Sequence, residues 1–363
     1  MKEKIKNIIA VALLGGLLLL GAAWCILKPA DALSVAERRT LKQFPTLKWN
    51  DLILGEWMED FDSYTLDQFP IRQQLRTVKA WVSYNLLGQM DNNGIYLADG
   101  SVGKLEYPLK ENSIIKAADK LNAIRDKYLD GCKVYYAIIP DKNYYIAAQN
   151  GYPSMDYVRL EELFDGRITG MQKIALWDCL DIWDYYTTDT HWRQERLERV
   201  VNRLAQAMDF ELGSGYEQET LTPFYGVYYG QAALPLEPDA INYLHNSTID
   251  EATVYNFETG KSGGVYDIEK FEGMDGYDVF LSGACPLLTI ENPNAKTDKE
   301  LIIFRDSFGS SLAPLMIDGY KKITLVDIRY IVSDYVGQFI QFGNQDVLFL
   351  YSTLILNSSD TLR

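Results

Sequence analysis

The sequence is poor in histidine and cysteine, and this limits the chemistry that it can support. It contains two histidines and four cysteines in 363 residues. The cysteines show no C-x-x-C spacing, so neither a zinc site nor a disulfide framework is indicated; they are Cys25, Cys132, Cys179 and Cys285. No motif for a metal, a nucleotide or a flavin is present, and we expect no cofactor.

Positive charge is also scarce. The net charge is −15, and the first 28 residues hold four lysines and one glutamate, so the remainder carries −18. Phosphate backbones and anionic lipid heads repel so acidic a body. We therefore expect no nucleic-acid partner, and the N-terminal segment is left as the expected membrane contact.

Low-complexity tracts and repeats of fixed period are absent, which excludes disordered and solenoid architectures. The hydrophobic share of 47% and the aromatic share of 13% are typical of a folded globular protein. At this length we expect one large domain with an appendage.

The one long apolar run lies at the N-terminus. Residues Asn7–Leu27 carry no charge and follow three lysines, and 21 residues are enough to span a bilayer as a helix. We favour an uncleaved single-pass anchor, with cleavage after Ala32 as the alternative, in which case the protein is secreted. Because large domains translocate largely regardless of charge, the chain after about residue 30 is predicted to lie outside the cytoplasm.

The remaining chain is predicted to form two parts. Residues 29–90 have helical apolar spacing broken by Pro45 and Pro70, which predicts a helical neck packed on the main domain, with one helix starting at Pro70 or Ile71. Residues 91–363 alternate apolar strands with amphipathic helices, which predicts an α/β domain with a mostly parallel sheet between helical layers. The tyrosine- and glycine-rich segment of about 212–275 interrupts this rhythm and is predicted to be an inserted β-rich lobe.

One histidine has a suitable partner elsewhere in the chain. Ser307 follows the predicted strand Leu301–Phe304 and precedes a helix, so it lies where α/β folds bind ligands and where free N–H groups can hold an oxyanion. Serine needs a base to become a nucleophile, and the base needs an acceptor that fixes its tautomer. Asp189, His191 and Ser307 supply acceptor, base and nucleophile.

Each motif also has a structural interpretation. Asp-Ser before a helix is a common N-cap, and the histidine segment "TTDTHWRQE" is a plausible helix entry. The second histidine, His245, has no carboxylate or serine motif around it and is interpreted as structural. The conjunction of two strand-end motifs favours the triad.

These residues resemble a known family. The segments "TDTHW" and "RDSFG", with "FPIR", "VDIRY" and "DVLFLYS", resemble the bacterial DHHW family, named for an Asp-His-His-Trp signature. Thr190 replaces the first histidine of that signature, so the chemistry would rest on His191. The family is similar in turn to the SGNH-hydrolase-like domain of alginate O-acetyltransferase-type proteins, where the D-x-H motif also precedes the serine motif.

The resemblance implies an extracytoplasmic O-acetyltransferase. In that scheme Ser307 takes an acetyl group, His191 acts as base and acid, and Asp189 orients it. The acceptor is a cell-surface or secreted polysaccharide, and the partner that delivers acetyl groups is a membrane-bound O-acyltransferase.

The resemblance also implies five oxyanion or substrate-binding residues: Gly283, Arg305, Lys142, Trp192 and Arg329. The three cationic ones could equally be partners for the many carboxylates. SGNH enzymes use a glycine and an asparagine for the oxyanion hole, and no asparagine follows Gly283 here. An esterase with the same triad, or a catalytically silent scaffold that binds a glycan or a partner, therefore remain as alternatives.

Overall fold

The apolar N-terminal run forms a helix, α1, over Lys2–Leu27. The structure, a computed structural model, describes residues 2–363. Within these residues, the stretch Lys4–Leu27 is the one helix long and apolar enough to cross a membrane by length and composition. An apolar N-terminal helix is thus confirmed, whereas its role as an anchor or a cleaved signal stays a prediction.

The chain divides into two compact units, the first reaching to Asn92 and including residues Gly230–Pro235. After α1 this unit contains two short strands and three helices: β1 (Leu33–Ser34), β2 (Arg39–Thr40), α2 (Trp49–Leu54), α3 (Glu56–Asp67) and α4 (Arg72–Trp81). Helix α4 begins one residue later than predicted, because Ile71 adopts a left-handed conformation with φ of 51°. The predicted helical neck therefore contains the expected helices.

The second unit, Asn93–Tyr229 with Leu236–Arg363, holds the central sheet and two further antiparallel strand pairs. Its strands are β3 (Ile95–Ala98), β4 (Ser101–Lys104), β5 (Lys133–Ile139), β6 (Gln172–Lys173), β7 (Glu217–Phe224), β8 (Asp239–His245), β9 (Thr253–Asn256), β10 (Lys261–Gly263), β11 (Leu287–Glu291), β12 (Glu300–Arg305), β13 (Lys322–Val326) and β14 (Asp346–Ser352). The helices along this part of the chain are α5 (Glu111–Tyr128), α6 (Lys142–Ile146), α7 (Tyr157–Asp165), α8 (Glu198–Met208), α9 (Val227–Ala232), α10 (Ser247–Glu251), α11 (Phe308–Leu312) and α12 (Thr353–Leu356).

Eight strands form the central sheet in the order β10-β9-β11-β13-β12-β14-β5-β6. The five from β13 to β6 are parallel to their neighbours, whereas β11, β9 and β10 pair antiparallel. The parallel strands are apolar on both faces, as a sheet covered on both sides requires. All seven residues of β14 are buried.

Helices cover both faces of this sheet. On one face Leu301 and Ile303 of β12 belong to the same apolar cluster as residues of α8 and α11. On the other face Ile302 and Phe304 belong to a cluster with residues of α5 and α7. The predicted three-layer α/β fold with a mostly parallel sheet is therefore confirmed.

The segment predicted as an inserted lobe, about 212–275, is divided by the structure. Strands β7 and β8 form a separate antiparallel pair with an irregularity in register between Leu221 and Phe224. Strands β9 and β10 instead extend the edge of the central sheet. The β-rich character agrees with the prediction. Two of the four strands, β9 and β10, nevertheless belong to the central sheet, because β9 hydrogen-bonds directly to β11.

The carboxyl ends of the parallel strands lie side by side. Arg305 pairs in register with Leu350, and Ser352 pairs with Ile139. The segments that follow β12, β13, β14 and β5 therefore leave the sheet at the same end, where the predicted site residues lie.

Candidate active site

Ser307 lies in the turn between β12 and α11. Its φ and ψ are −63° and −22°, and its side chain makes no capping hydrogen bond. The capping acceptor is instead Asp306, whose carboxylate accepts from the Phe308 N–H at 3.0 Å and from the Ser352 N–H at 2.8 Å. Asp306 thus ties the turn to the end of β14 and leaves the Ser307 hydroxyl available for another partner.

That partner is His191. The Ser307 Oγ lies 2.7 Å from His191 Nε2, and His191 Nδ1 lies 2.6 Å from Asp189 Oδ1. The loop that carries the histidine and the turn that carries the serine are 116 residues apart in the chain. The structure therefore brings together, in one hydrogen-bonded line, the three residues that were predicted to form a triad.

Asp189 is fully buried and held on several sides. Besides the imidazole, its carboxylate accepts from the His191 N–H at 3.1 Å and from the Val227 N–H at 2.8 Å. The preceding residue is fixed as well, because Asp239 accepts from both the N–H and the hydroxyl of Thr188. A carboxylate held in this way fixes the orientation and the tautomer of the imidazole that donates to it.

The imidazole ring of His191 is held between aromatic rings. It stacks on Tyr277 with ring centroids 3.9 Å apart and an interplanar angle of 7°, and Phe308 lies against it at 5.0 Å. Tyr277 is anchored in turn, since its hydroxyl lies 2.8 Å from the Ser311 hydroxyl. The ring plane is thus set by packing and the ring's two nitrogens by hydrogen bonds.

Trp192, predicted to contact substrate, is fully buried. Its indole N–H donates to the Phe308 carbonyl at 3.1 Å and lies 2.9 Å from the Ser311 hydroxyl. Both acceptors belong to α11, the helix that follows Ser307. The indole joins the histidine segment to the serine helix, and a role of Trp192 in substrate binding stays a prediction.

Lys142, also predicted to line the pocket, lies beneath the histidine loop and is buried. Its ammonium donates to three carbonyl oxygens of that loop, those of Tyr186 and Thr187 at 2.8 Å and that of Asp189 at 3.2 Å. Burial lowers the pKa of Lys142 to about 7, and the nearby carboxylates of Asp239 and Asp189 oppose this shift. Lys142 therefore supports the histidine loop through these bonds, and its place in the substrate pocket stays a prediction.

The two predicted arginines share one carboxylate. Arg329 donates to Asp327 through two nitrogens, at 2.9 and 2.6 Å, and this pairing raises its pKa against the opposing effect of burial. Arg305 is fully buried, and its closest carboxylate contact is Asp327 at 3.9 Å. Its Nε and Nη2 atoms have no hydrogen-bond partner within residues 2–363.

Gly309 explains how the Arg305 stem fits beside the serine turn. A Cβ at residue 309 would lie 2.8 Å from the Cβ of Arg305, which is closer than packed carbon atoms approach. Asp306 fastens the turn, Phe308 packs on the imidazole, and glycine leaves room for the arginine. Each position of the segment "RDSFG" thus has a separate structural reason.

Gly283, predicted to supply an oxyanion N–H, has a different function in the structure. Its N–H donates to the Phe280 carbonyl at 3.2 Å, in a turn where its φ is +86°. A side chain at this position would also collide with Asp278. The amide is therefore occupied by the turn. The Ser307 N–H, in contrast, donates to no acceptor within the described residues.

The other histidine and the cysteines lie outside this arrangement. His245 contacts Asp250 at 3.1 Å, at the end of β8. All four cysteines are free. The part of the chain that the structure describes, residues 2–363, contains no cluster of three or more histidine, cysteine, aspartate or glutamate side chains that could hold a metal ion.

Sequence reasoning missed several residues that build the site. Tyr277 and Phe308 fix the imidazole plane, Asp239 fixes the loop, and Ser311 receives the indole. Phe308 and Ser311 lie within one turn of Ser307, so their proximity to the site could have been found. Tyr277 and Asp239 come from distant segments that carry no local signal.

Comparison with known proteins gives a match in structure and none in sequence. No family model and no curated protein sequence matches the chain. A crystal structure of a DHHW family protein from Eubacterium siraeum is 21% identical, covers 75% of this chain and 94% of its own, and superposes with a TM-score of 0.63. The chain has the DHHW protein's fold.

Further solved structures match a similar share of the chain. Bacillus cereus PatB1, solved with a sulfonyl adduct, is 20% identical, covers 72% of this chain and 95% of its own, and has a TM-score of 0.57. The O-acetyltransferase domain of Pseudomonas putida AlgJ is 12% identical, covers 73% and 93% respectively, and has a TM-score of 0.41. The predicted resemblance to the DHHW family is confirmed for the fold.

Proposed function

We propose that this protein is a serine-dependent O-acetyltransferase that acts outside the cytoplasm on a polysaccharide. Ser307 is the nucleophile, His191 is the general base and acid, and Asp189 orients the imidazole. The observation that carries this proposal is the continuous line from the Ser307 hydroxyl through His191 to the buried Asp189, with contacts of 2.7 and 2.6 Å. Such a line activates a hydroxyl that is otherwise a poor nucleophile.

In the first half-reaction Ser307 Oγ attacks the carbonyl carbon of an acetyl donor, and its proton passes to His191 Nε2. Negative charge develops on the carbonyl oxygen, where the Ser307 N–H is available as a donor. The tetrahedral intermediate collapses as the leaving group departs with the proton from His191. The product is an acetyl ester on Ser307.

In the second half-reaction a sugar hydroxyl attacks this ester. His191 Nε2 removes the hydroxyl proton, and the new tetrahedral intermediate expels the Ser307 oxygen. His191 returns the proton to that oxygen, which restores the starting state. The buried Asp189 carboxylate stabilises the imidazolium in both halves because it accepts a hydrogen bond from the Nδ1–H group throughout.

The acetyl group and the polysaccharide acceptor rest on family resemblance. The segments "TDTHW" and "RDSFG" resemble motifs of the DHHW family and of alginate O-acetyltransferase-type proteins, and the fold agrees with that likeness. The apolar helix at Lys4–Leu27 supports a place at the membrane with the main unit outside the cytoplasm. A membrane-bound O-acyltransferase is the proposed acetyl donor.

One observation favours a silent scaffold as a second candidate. The Gly283 N–H is engaged by the Phe280 carbonyl at 3.2 Å, and no asparagine occupies the usual oxyanion position beside it. Losing one oxyanion donor costs on the order of 10² to 10³ in rate. A slow enzyme and an inactive glycan- or partner-binding protein therefore differ in whether Ser307 still reacts.

The deciding experiment measures the reactivity of Ser307. The full chain in detergent is treated with a serine-directed fluorophosphonate, and the turnover of p-nitrophenyl acetate is assayed. Wild type is expected to label and to turn over the ester, whereas Ser307→Ala and His191→Ala should lose both activities. Mass spectrometry of the labelled peptide should place the adduct on Ser307.

Two matched variants control for damage to the fold. Ser247→Ala removes an exposed serine at the start of α10, and His245→Ala removes the other histidine. Both should label as wild type does. Unlabelled wild type, in a buffer where a known serine esterase reacts, would refute the nucleophile and favour the scaffold.

Transfer and hydrolysis are separated by the fate of the acetyl-enzyme. Oligosaccharides are added to the turnover assay, and acetylated sugar and free acetate are both quantified. Transfer predicts that acetylated sugar increases at the expense of acetate. Acetate alone with every glycan tested would make the protein an esterase that uses the same triad.

A further inference from the structure

Within the neck, residues 29–90, the stretch from Phe44 to Met90 exposes an unusual amount of apolar surface. Fifteen large apolar side chains between Phe44 and Met90 are exposed, among them Trp49, Leu54 and Trp81. Water-soluble proteins seldom leave so many large apolar side chains of one segment uncovered unless the segment binds something.

Helix α4 and its flanks show this surface most clearly. Ile71, Leu75 and Val78 are exposed, and their spacing of four and three residues places them on one stripe of the helix. The side chains of Arg72 and Arg76 on the same helix are only 26% and 23% exposed. The exposed side of α4 therefore carries Leu75 and Val78 beside the polar Gln74 and Lys79, while both arginines are partly covered.

The arginines of α4 belong to a network of ion pairs around Glu37. The Glu37 carboxylate, 12% exposed, pairs with Arg72, with Arg76 at 3.3 Å and with Arg39 at 3.0 Å. Arg39 also donates to Asp67 at 2.8 and 2.5 Å. This part of the neck has ion pairs inside and hydrocarbon outside, which suits a surrounding less polar than water.

The composition of the exposed surface points to a lipid interface. Trp49 and Trp81 are exposed, and tryptophan is enriched where a bilayer meets water because its ring is amphipathic. The candidate membrane helix ends at Leu27, and the sixteen residues between it and Phe44 reach about 55 Å at most when extended. The exposed apolar residues of the neck therefore start within reach of the same bilayer.

We propose that the apolar face of the neck, led by Ile71, Leu75 and Val78, lies in the interfacial layer of the membrane that holds α1. Burial of the apolar stripe by about 5–10 Å into this layer removes it from water, while Arg72 and Arg76 stay paired with Glu37. Because the protein is acidic, the contact depends on apolar burial and takes neutral, zwitterionic lipid. This inference does not depend on whether Ser307 is reactive.

The test measures what surrounds single residues in the full chain. The native cysteines are replaced by serine or alanine, and Val78→Cys and Leu75→Cys carry a nitroxide label in phosphatidylcholine liposomes. Val158→Cys is the matched control, since Val158 lies in the separate second unit, on α7, and is 70% exposed where Val78 is 58% exposed. Collision rates are measured with oxygen, which concentrates in lipid, and with a water-soluble nickel chelate.

The expected result is a higher ratio of oxygen to nickel collisions at residues 78 and 75 than at residue 158. Equal ratios at all three would place the neck in water and overturn the proposal. Low collision rates with both reagents at residues 75 and 78 would mean that protein covers the stripe, a second copy or another chain, and would overturn it as well. Ser307 labelling in the same liposomes reports separately on the proposed enzyme.

Discussion

The packing of Gly226 against the aspartate loop leads to a sharp prediction. Gly226 is buried, its N–H donates to the Thr188 hydroxyl at 3.0 Å, and the next residue, Val227, donates to Asp189. A Cβ at residue 226 would lie 2.5 Å from the Cβ of Asp189 and closer still to the Thr188 carbonyl. The Gly226→Ala variant therefore tests whether this contact positions the acceptor of the proposed triad.

The size of the effect follows from the distances. Carbon atoms pack at about 3.5–4.0 Å, so the new methyl group has to push the loop away by about 1 Å. A displacement of about 1 Å in a catalytic group can cost about 10²-fold in rate, and overpacking costs about 1–3 kcal/mol of stability. We expect kcat to fall by about 10²-fold with little change in KM, and the melting temperature to decrease.

The assay is p-nitrophenyl acetate turnover with the fluorophosphonate labelling rate as a second readout. Gly263→Ala is the matched control, because a Cβ there would meet nothing within 4 Å. This control should behave as wild type does. If Gly226→Ala kept both the rate and the melting temperature of wild type, the close packing of this glycine on the loop would be refuted as the cause of Asp189's position.

Three further substitutions test the other supports of the site. Asp189→Asn presents an amide N–H to His191 Nδ1 and stabilises the wrong tautomer, so kcat should fall by about 10⁴-fold in steady-state assays. Lys142→Met leaves buried carbonyls without a donor and should cost about 1–3 kcal/mol in denaturant unfolding. Because burial lowers the pKa of Lys142 to about 7, the unfolded chain binds more protons above that pH, and the stability of wild type should rise from pH 7 towards 10 while the methionine variant lacks this rise. Trp192→Phe loses the indole contacts to α11, so the melting temperature and kcat should decrease while KM stays unchanged. A rise in KM alone would instead support Trp192 as a substrate-binding residue.

The strand ends were predictable because two local signals coincide there. The apolar run of β12 followed by Asp306 and Ser307 marks both a buried strand and a helix start, and the structure has both. The strand of residues 133–139 shows the same two signals, an apolar run and then a helix start at Asp141. Such runs encode the sheet because parallel strands are buried on both faces.

The roles of individual polar residues were harder to predict, because burial depends on segments far away in the chain. Lys142 was assigned to a pocket, yet carbonyl groups more than forty residues later surround its ammonium. Trp192 was assigned to substrate, yet its indole packs on a helix 116 residues further along. The Gly283 amide was assigned to the oxyanion, yet a local turn uses it. A sequence motif identifies the residue type at a site but not the direction of its side chain.

The stacking of His191 on Tyr277 has a consequence for the order of events. The His191 ring lies flat on the Tyr277 ring at 3.9 Å, and both of its nitrogens are hydrogen-bonded. The ring therefore cannot rotate between one position that serves the donor and another that serves the acceptor. Under the proposed mechanism the donor and the acceptor therefore use the same proton relay in turn, and the first product has to depart before the acceptor arrives. The kinetics would be ping-pong. Excess acceptor would compete with the donor for the free enzyme, and excess donor would compete with the acceptor for the acetyl-enzyme. The acetyl ester on Ser307 would then carry the acetyl group from the donor to the polysaccharide, so the two substrates never have to be bound at the same time.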